Sequence, residues 1–193
     1  MDAVPLDLHK KIKNWDMIII QLTGLSGSGK TTLANAMKLQ LSLLEYEIER
    51  LDGDELRKTV SRDLGFSRAD RIENNLRISK LALEKWKEGK LVIVSTINPY
   101  EESRAFLKSQ SPLVYTIWIH ASIKSLLLRD TKGLYKKALH PPDGSPAINL
   151  SGINDPYEIP ENPDLIISTD SETESESILH LKKFILSKLK RTS

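Results

Sequence analysis

Eight consecutive residues, Gly24-Leu25-Ser26-Gly27-Ser28-Gly29-Lys30-Thr31, constrain this chain more than any other stretch. They fit G-x-x-x-x-G-K-[ST], a loop whose backbone N–H groups surround phosphate oxygens. The glycines let the backbone turn tightly around the anion. Lys30 places an ammonium near the β- and γ-phosphates of a nucleotide, and Thr31 offers a hydroxyl to Mg²⁺. Both flanks agree with this chemistry. Residues 17–22 are a short β-branched run that reads as a buried strand, and residues 31–44 carry Leu33, Met37, Leu41 and Leu44 on one helical face. A helix that opens at Lys30 points its N-terminal dipole at the bound phosphate.

Further along, apolar runs alternate with helical patterns. Residues 47–52, 91–94, 113–119 and 165–167 read as strands. Helices are expected over 54–64, from a capping box of Ser67 with Asp70 to Gly89, and over 101–108, 122–129 and 174–190. The alternation predicts an α/β domain of the P-loop NTPase type, with a mainly parallel five-stranded sheet covered by helices on both faces. Six of the nine prolines fall between residues 141 and 163. So long an irregular stretch points to a lid over about 131–163. We expect residues 1–15 to form an N-terminal segment and 16–193 a single domain.

Composition closes off other classes. The chain of 193 residues has no cysteine, which excludes disulfide scaffolds, thiolate metal sites and a Cys nucleophile. A net charge of +2 argues against long polyanions such as nucleic acid. No apolar run reaches the ~18 residues of a membrane span, and the first 15 residues lack a signal-peptide core. A cytoplasmic protein is the expectation.

A P-loop fixes the nucleotide and leaves the reaction open. The strand at 91–94 is followed by Ser95 and Thr96, where a Walker B acid would stand. The acids are in Leu51-Asp52-Gly53-Asp54 instead. Two carboxylates at a strand's C-terminal end lie where α/β sheets bind ligands. One could reach a metal-bound water, and the other could take a proton from an attacking hydroxyl. As an alternative, the same residues serve as a turn and helix N-cap.

The motif series resembles the adenylylsulfate (APS) kinase family. It comprises the P-loop with Thr32, Asp52-Gly53-Asp54 with Arg57, Gly65-Phe66-Ser67, Asp70-Arg71-Ile72-Glu73-Asn74 with Arg77, residues 129–138, residues 152–158 and residues 160–163. The resemblance implies a nucleoside-kinase-like fold that moves phosphate from ATP, with Mg²⁺, to the 3′-hydroxyl of APS. ATP would be held by Gly24, Ser26, Gly27, Ser28, Gly29, Lys30, Thr31, Thr32 and Arg129. Lys30, Asp52 and Asp54 would be the catalytic residues. Asp54 would orient or deprotonate the hydroxyl, and Thr31 with Asp52 would hold the Mg²⁺ shell. Arg57, Phe66, Arg71, Asn74, Ile97, Asn98, Lys132 and Leu150 would surround the acceptor, with Phe66 stacking on its base. Lys132, Lys136 and Lys137 would belong to the closing lid. Family members often pair as dimers, so the expected partners are small nucleotides and a second copy of the chain.

Three positions depart from the family pattern: Glu55 for the usual Asn, Asn98 for a Ser, and Leu150 near the place of a second base-stacking aromatic. All three belong to the acceptor half. They motivate one rival, a sister 3′-kinase of another nucleotide 5′-anhydride such as cytidine diphosphoramidate; a non-catalytic nucleotide sensor or partner subunit on the same fold is the alternative from another class.

Overall fold

The computed structural model describes residues 15–130, 132–141, 145–146 and 148–191; the expected N-terminal segment lies outside them up to residue 14. Five parallel strands form the central sheet: β2 (Ile19–Thr23), β3 (Ile48–Asp52), β4 (Leu91–Ser95), β5 (Val114–His120) and β6 (Leu165–Ser168). Their spatial order is β3-β4-β2-β5-β6. This is the architecture expected from the alternation, and every pairing within this sheet is parallel.

The sheet is buried on both faces because its side chains alternate with period two. Ile18, Ile20, Leu22, Ile93 and Ile117 point to one side. There they meet Leu33, Met37 and Leu41 of α1 (Lys30–Ser42) and Leu181 and Ile185 of α7 (Glu174–Lys188). Ile19, Val92, Val94 and Val114 point to the other side. They meet Ile78 and Ala82 of α3 (Arg68–Lys87) and Leu107 of α4 (Glu101–Ser109). Gln21 falls on this second face and remains buried because its amide donates to Arg104 O at 3.1 Å and Thr116 Oγ1 at 2.7 Å. Truncating one fully buried residue here, such as Ile93→Ala, would cost about 2–5 kcal/mol.

The caps follow the sequence signals. Ser67 and Asp70 exchange both bonds of a capping box, and Gly89 follows α3 at φ 86°. A second box, Thr173 with Glu176, opens α7. Two expectations need correction. The helix expected over 54–64 is one turn only, α2 (Gly53–Leu56), and successive turns follow it. Leu56, Val60 and Leu64 recur at a helical spacing of four, but Val60 is exposed and gains no burial from a helix, and Arg57 Nη1 bends back to Gly65 O at 2.8 Å. The last helix stops at Lys188 because Leu189 is extended. It leads into β7 (Lys190–Arg191), which pairs antiparallel with β1 (Trp15–Asp16). The proline-rich stretch contains no strand among its described residues but does hold α6 (Leu134–Leu139). The remaining helix, α5 (Ile123–Arg129), begins at the Ser122 cap. No helix among the described residues is long and apolar enough to cross a membrane.

Candidate active site

One cleft runs across the C-terminal ends of β2, β3 and β4. Ser26, Gly27, Gly29, Lys30, Thr31 and Thr32 line one end of it, and Asp52 and Asp54 lie in the middle. Arg57, Phe66, Arg71 and Asn74 form another part of the wall, Ile97 and Asn98 line it beside the root of the P-loop, where Ile97 O accepts from Thr23 Oγ1 at 2.7 Å, and Lys132 reaches in from the lid. Fifteen sequence-predicted residues therefore meet in one cavity.

The P-loop geometry has a steric cause. Gly24 has φ 154°, and a Cβ there would stand 2.3 Å from Ile119 O. Gly24 does not line the cleft; it lets the chain leave β2 close beside β5. Ser28 is also behind the loop, fully buried, and its N–H donates to Leu25 O at 3.2 Å. Lys30 is buried, and its Nζ donates to Gly24 O and Leu25 O, each at 2.8 Å. Burial pulls its pKa down to about 7, with Lys132 adding to the effect and Asp54 and Asp52 opposing it.

The two carboxylates divide their work. Asp52 caps α2 by accepting from Asp54 N at 3.0 Å, and its Oδ2 accepts from Thr31 Oγ1 at 3.0 Å. The N-cap alternative read from the sequence is thus real and coexists with a place in the cleft. Asp54 is exposed and forms an ion pair with Lys132 of the lid. Thr31 and Asp52 supply hard oxygens, and the Ser95 hydroxyl and Asn74 Oδ1 are buried without a protein partner. This donor set suits Mg²⁺, which binds through few protein oxygens and completes its shell with phosphate and water.

At the acceptor end, cations surround one aromatic ring. Phe66 is 57% exposed, with Arg57 Cζ 4.6 Å and Arg71 Cζ 5.6 Å from its centroid. Arg71 is buried and ties three segments together. Its Nε donates to Phe66 O at 3.0 Å, its Nη2 donates to Asn149 O at 2.8 Å, and Asp155 lies 3.3 Å away. Burial and the like charge of Arg71 both lower the pKa of Arg57. Asn98 holds φ 43°, a conformation Asn tolerates, and its Oδ1 accepts from Ser103 Oγ.

Four other expected residues lie outside the cleft wall. Leu150 packs with Leu126, Tyr135 and Ala138 inside the lid's own apolar cluster, and its neighbour Asn149 borders Phe66. Arg129 sits on the outer side of the P-loop, donating to Thr169 Oγ1 at 2.9 Å, while Thr169 Oγ1 donates to Ser28 O at 3.3 Å. Lys136 and Lys137 are exposed on α6 and do not line the cleft. The lid is pinned to the P-loop by Tyr135, whose hydroxyl donates to Ser26 O at 2.7 Å. Gly152 adds to that closeness, since a Cβ there would lie 2.5 Å from Leu25 Cδ2. Sequence reasoning missed Arg50, and it placed Asp155 and Tyr157 in a family motif without giving either a role. Tyr157 bonds Thr23 at 3.0 Å, and burial pushes its hydroxyl up to about 12.

Comparison with known proteins decides the family. The adenylylsulphate kinase family model matches residues 16–168. This chain belongs to the adenylylsulphate kinase family. It is 42% identical over 164 residues to an adenylyl-sulfate kinase of Chloroflexus aurantiacus, covering 85% of this chain and 86% of that one. A probable adenylyl-sulfate kinase of Aeropyrum pernix is 38% identical over 172 residues, covering 87% and 92%. Among solved structures, the Mycobacterium tuberculosis APS kinase CysC in complex with AMPPNP and APS superposes with a TM-score of 0.81. It is 33% identical, covering 89% of this chain and 98% of that one. The expected resemblance thus extends to the whole fold, and an ATP-using kinase is its chemistry.

Proposed function

We propose that this chain transfers the γ-phosphoryl group of ATP to the 3′-hydroxyl of adenylyl sulfate. One observation carries the reading: a single cleft joins a phosphate-binding loop to an aromatic ring flanked by two arginines, with Asp54 between them. The 3′-oxygen attacks the γ-phosphorus, its proton passes to Asp54, and the β–γ bridging oxygen leaves with ADP. Lys30 faces the phosphates, where charge spreads over the transferring group. Arg57 and Arg71 hold the acceptor's anhydride, and Phe66 stacks on its base. Lys132 leaves Asp54 for the incoming phosphates, which frees the carboxylate as the lid closes. Thr31, and Asp52 through water, would hold Mg²⁺, which when bound neutralises charge on the β- and γ-oxygens.

The rival acceptor loses its motive on geometry. Glu55 points away to Arg50, Asn98 turns its side-chain amide oxygen to Ser103, and Leu150 lies within the lid cluster. Of the three, Asn98 alone lines the cleft, and its side-chain oxygen is taken up by Ser103. The sensor alternative conflicts with a full set of Lys30, Asp52, Asp54 and Arg71 in one cavity. A cytoplasmic setting, where ATP is supplied, and a homodimer complete the proposal; a monomer mass by light scattering would remove the latter part. Purified protein with ATP, Mg²⁺ and micromolar APS should yield a 3′-phosphorylated product visible by ³¹P NMR. No product, or faster turnover of a cytidine anhydride in competition, would overturn the assignment.

A further inference from the structure

An ion triad runs outward from the cleft wall: Asp52 lines the cleft, and Arg50 and Glu55 stand behind it. Arg50 Nη1 of β3 lies 3.0 Å from Asp52 Oδ2, and its Nη2 donates to Glu55 Oε1 at 2.5 Å. Arg50 is mostly buried and Glu55 is exposed. The same Asp52 oxygen accepts from Thr31 Oγ1. A guanidinium this close cancels much of the carboxylate's charge and repels any divalent cation that Asp52 helps to hold. Glu55 returns the triad to a net charge of −1, the charge Asp52 would carry alone. The neutral Asn usual in the family would leave Arg50 uncompensated.

We propose that Glu55 is a positioning residue for metal binding. By holding Arg50 from the far side, it keeps Asp52 electrostatically available to phosphate-bound Mg²⁺, and the residues at 50 and 55 function as a pair. This rests on the reading that Thr31 and Asp52 face the metal.

The test needs no turnover. Binding of a non-hydrolysable ATP analogue is measured by calorimetry across a Mg²⁺ titration, without acceptor. Glu55→Gln should raise the half-saturating Mg²⁺ by about three- to tenfold, the size expected of one charge acting over several ångströms near a surface. Metal-free analogue binding should stay level or tighten, because an anion has been removed; a variant with general damage weakens both. Arg50→Leu should match or exceed the wild type in Mg²⁺ affinity, and Arg50→Leu/Glu55→Gln should return close to the wild-type value. An unchanged Mg²⁺ requirement in Glu55→Gln, or a double variant as weak as Glu55→Gln, overturns the proposal. Asp52→Asn separates the two layers. If it leaves the Mg²⁺ requirement unchanged, the metal reading itself falls. If it raises the requirement while Glu55→Gln does not, only the role of Glu55 falls.

Discussion

At the donor end of the cleft, residues 24–32 are one contiguous stretch, the turn after β2 and the first residues of α1. The acceptor end draws Arg57 from the turn after α2, Phe66 from the loop before α3, Arg71 and Asn74 from α3, and Lys132 from the lid. The donor end is held by backbone: the Gly24 turn, the first turn of α1, and two carbonyls on Lys30. The acceptor end is held by side chains reaching distant backbone, Arg71 to Phe66 O and Asn149 O above all. Damage should therefore stay local at the first end and spread into the lid at the second.

The largest effect should come from the donor end. Lys30→Ala should lower kcat/KM by about 10³-fold, the loss of a charged group aimed at the transition state, while acceptor affinity and the protease resistance of the lid hold. Faster proteolysis of the lid in that variant would break the contrast. Next is Arg71→Ala, expected to cut kcat/KM for the acceptor by about 10²-fold. It should also make the lid more susceptible to proteolysis, since Asp155 is left buried without its cation. An unchanged cleavage rate would show that the acceptor end is as local as the donor end.

The pH response should differ between the ends as well. Lys30 has a pKa of about 7 in the free protein, against 10.5 when unfolded. Between those values the unfolded chain binds more protons, so this residue makes the ligand-free protein more stable as pH rises above 7. Nucleotide binding should do the reverse. The triphosphate favours the ammonium form, so binding above pH 7 takes up a proton, and affinity falls by up to about tenfold per pH unit. Calorimetry in buffers of different ionisation enthalpy reads that proton directly; no uptake at pH 8 would reject it. The smallest effect should be Tyr135→Phe, which removes one bond to Ser26 O. It should cost about 1 kcal/mol and lower Tm by about 2–4 °C, with kcat near wild type.

The same contrast explains what could be read from sequence. Lys30, Thr31, Asp52 and Asp54 sit in short contiguous patterns whose chemistry is local. Arg57, Phe66, Arg71 and Asn74 carry no periodic signal, and only their family resemblance marked them. Ser95 and Thr96 registered as a missing acid, yet both line the cleft, because β4 is the parallel neighbour of β3 and places Ser95 opposite Asp52. Arg50 gave no warning, since an ion pair spanning a strand-to-helix junction follows neither the period of two nor that of 3.6. Leu150 was expected beside the base. Its backbone lies next to the right wall, but its apolar side chain turned inward to Tyr135. Alignment alone does not resolve which way one residue in an irregular loop faces.

The pairing of Trp15 with Arg191 brings the two ends of the described chain side by side. It sits before β2 begins, whereas the cleft lies where β2, β3 and β4 end. With residues 1–14 and 192–193 removed, a covalent link there would close the described chain at little entropic cost. The polypeptide could then be reopened at an exposed turn remote from the cleft, such as the one around Gly89, without cutting any strand that carries the site. The kinase is, in topological terms, close to a ring whose order of reading can be rewritten while its chemistry stays in place.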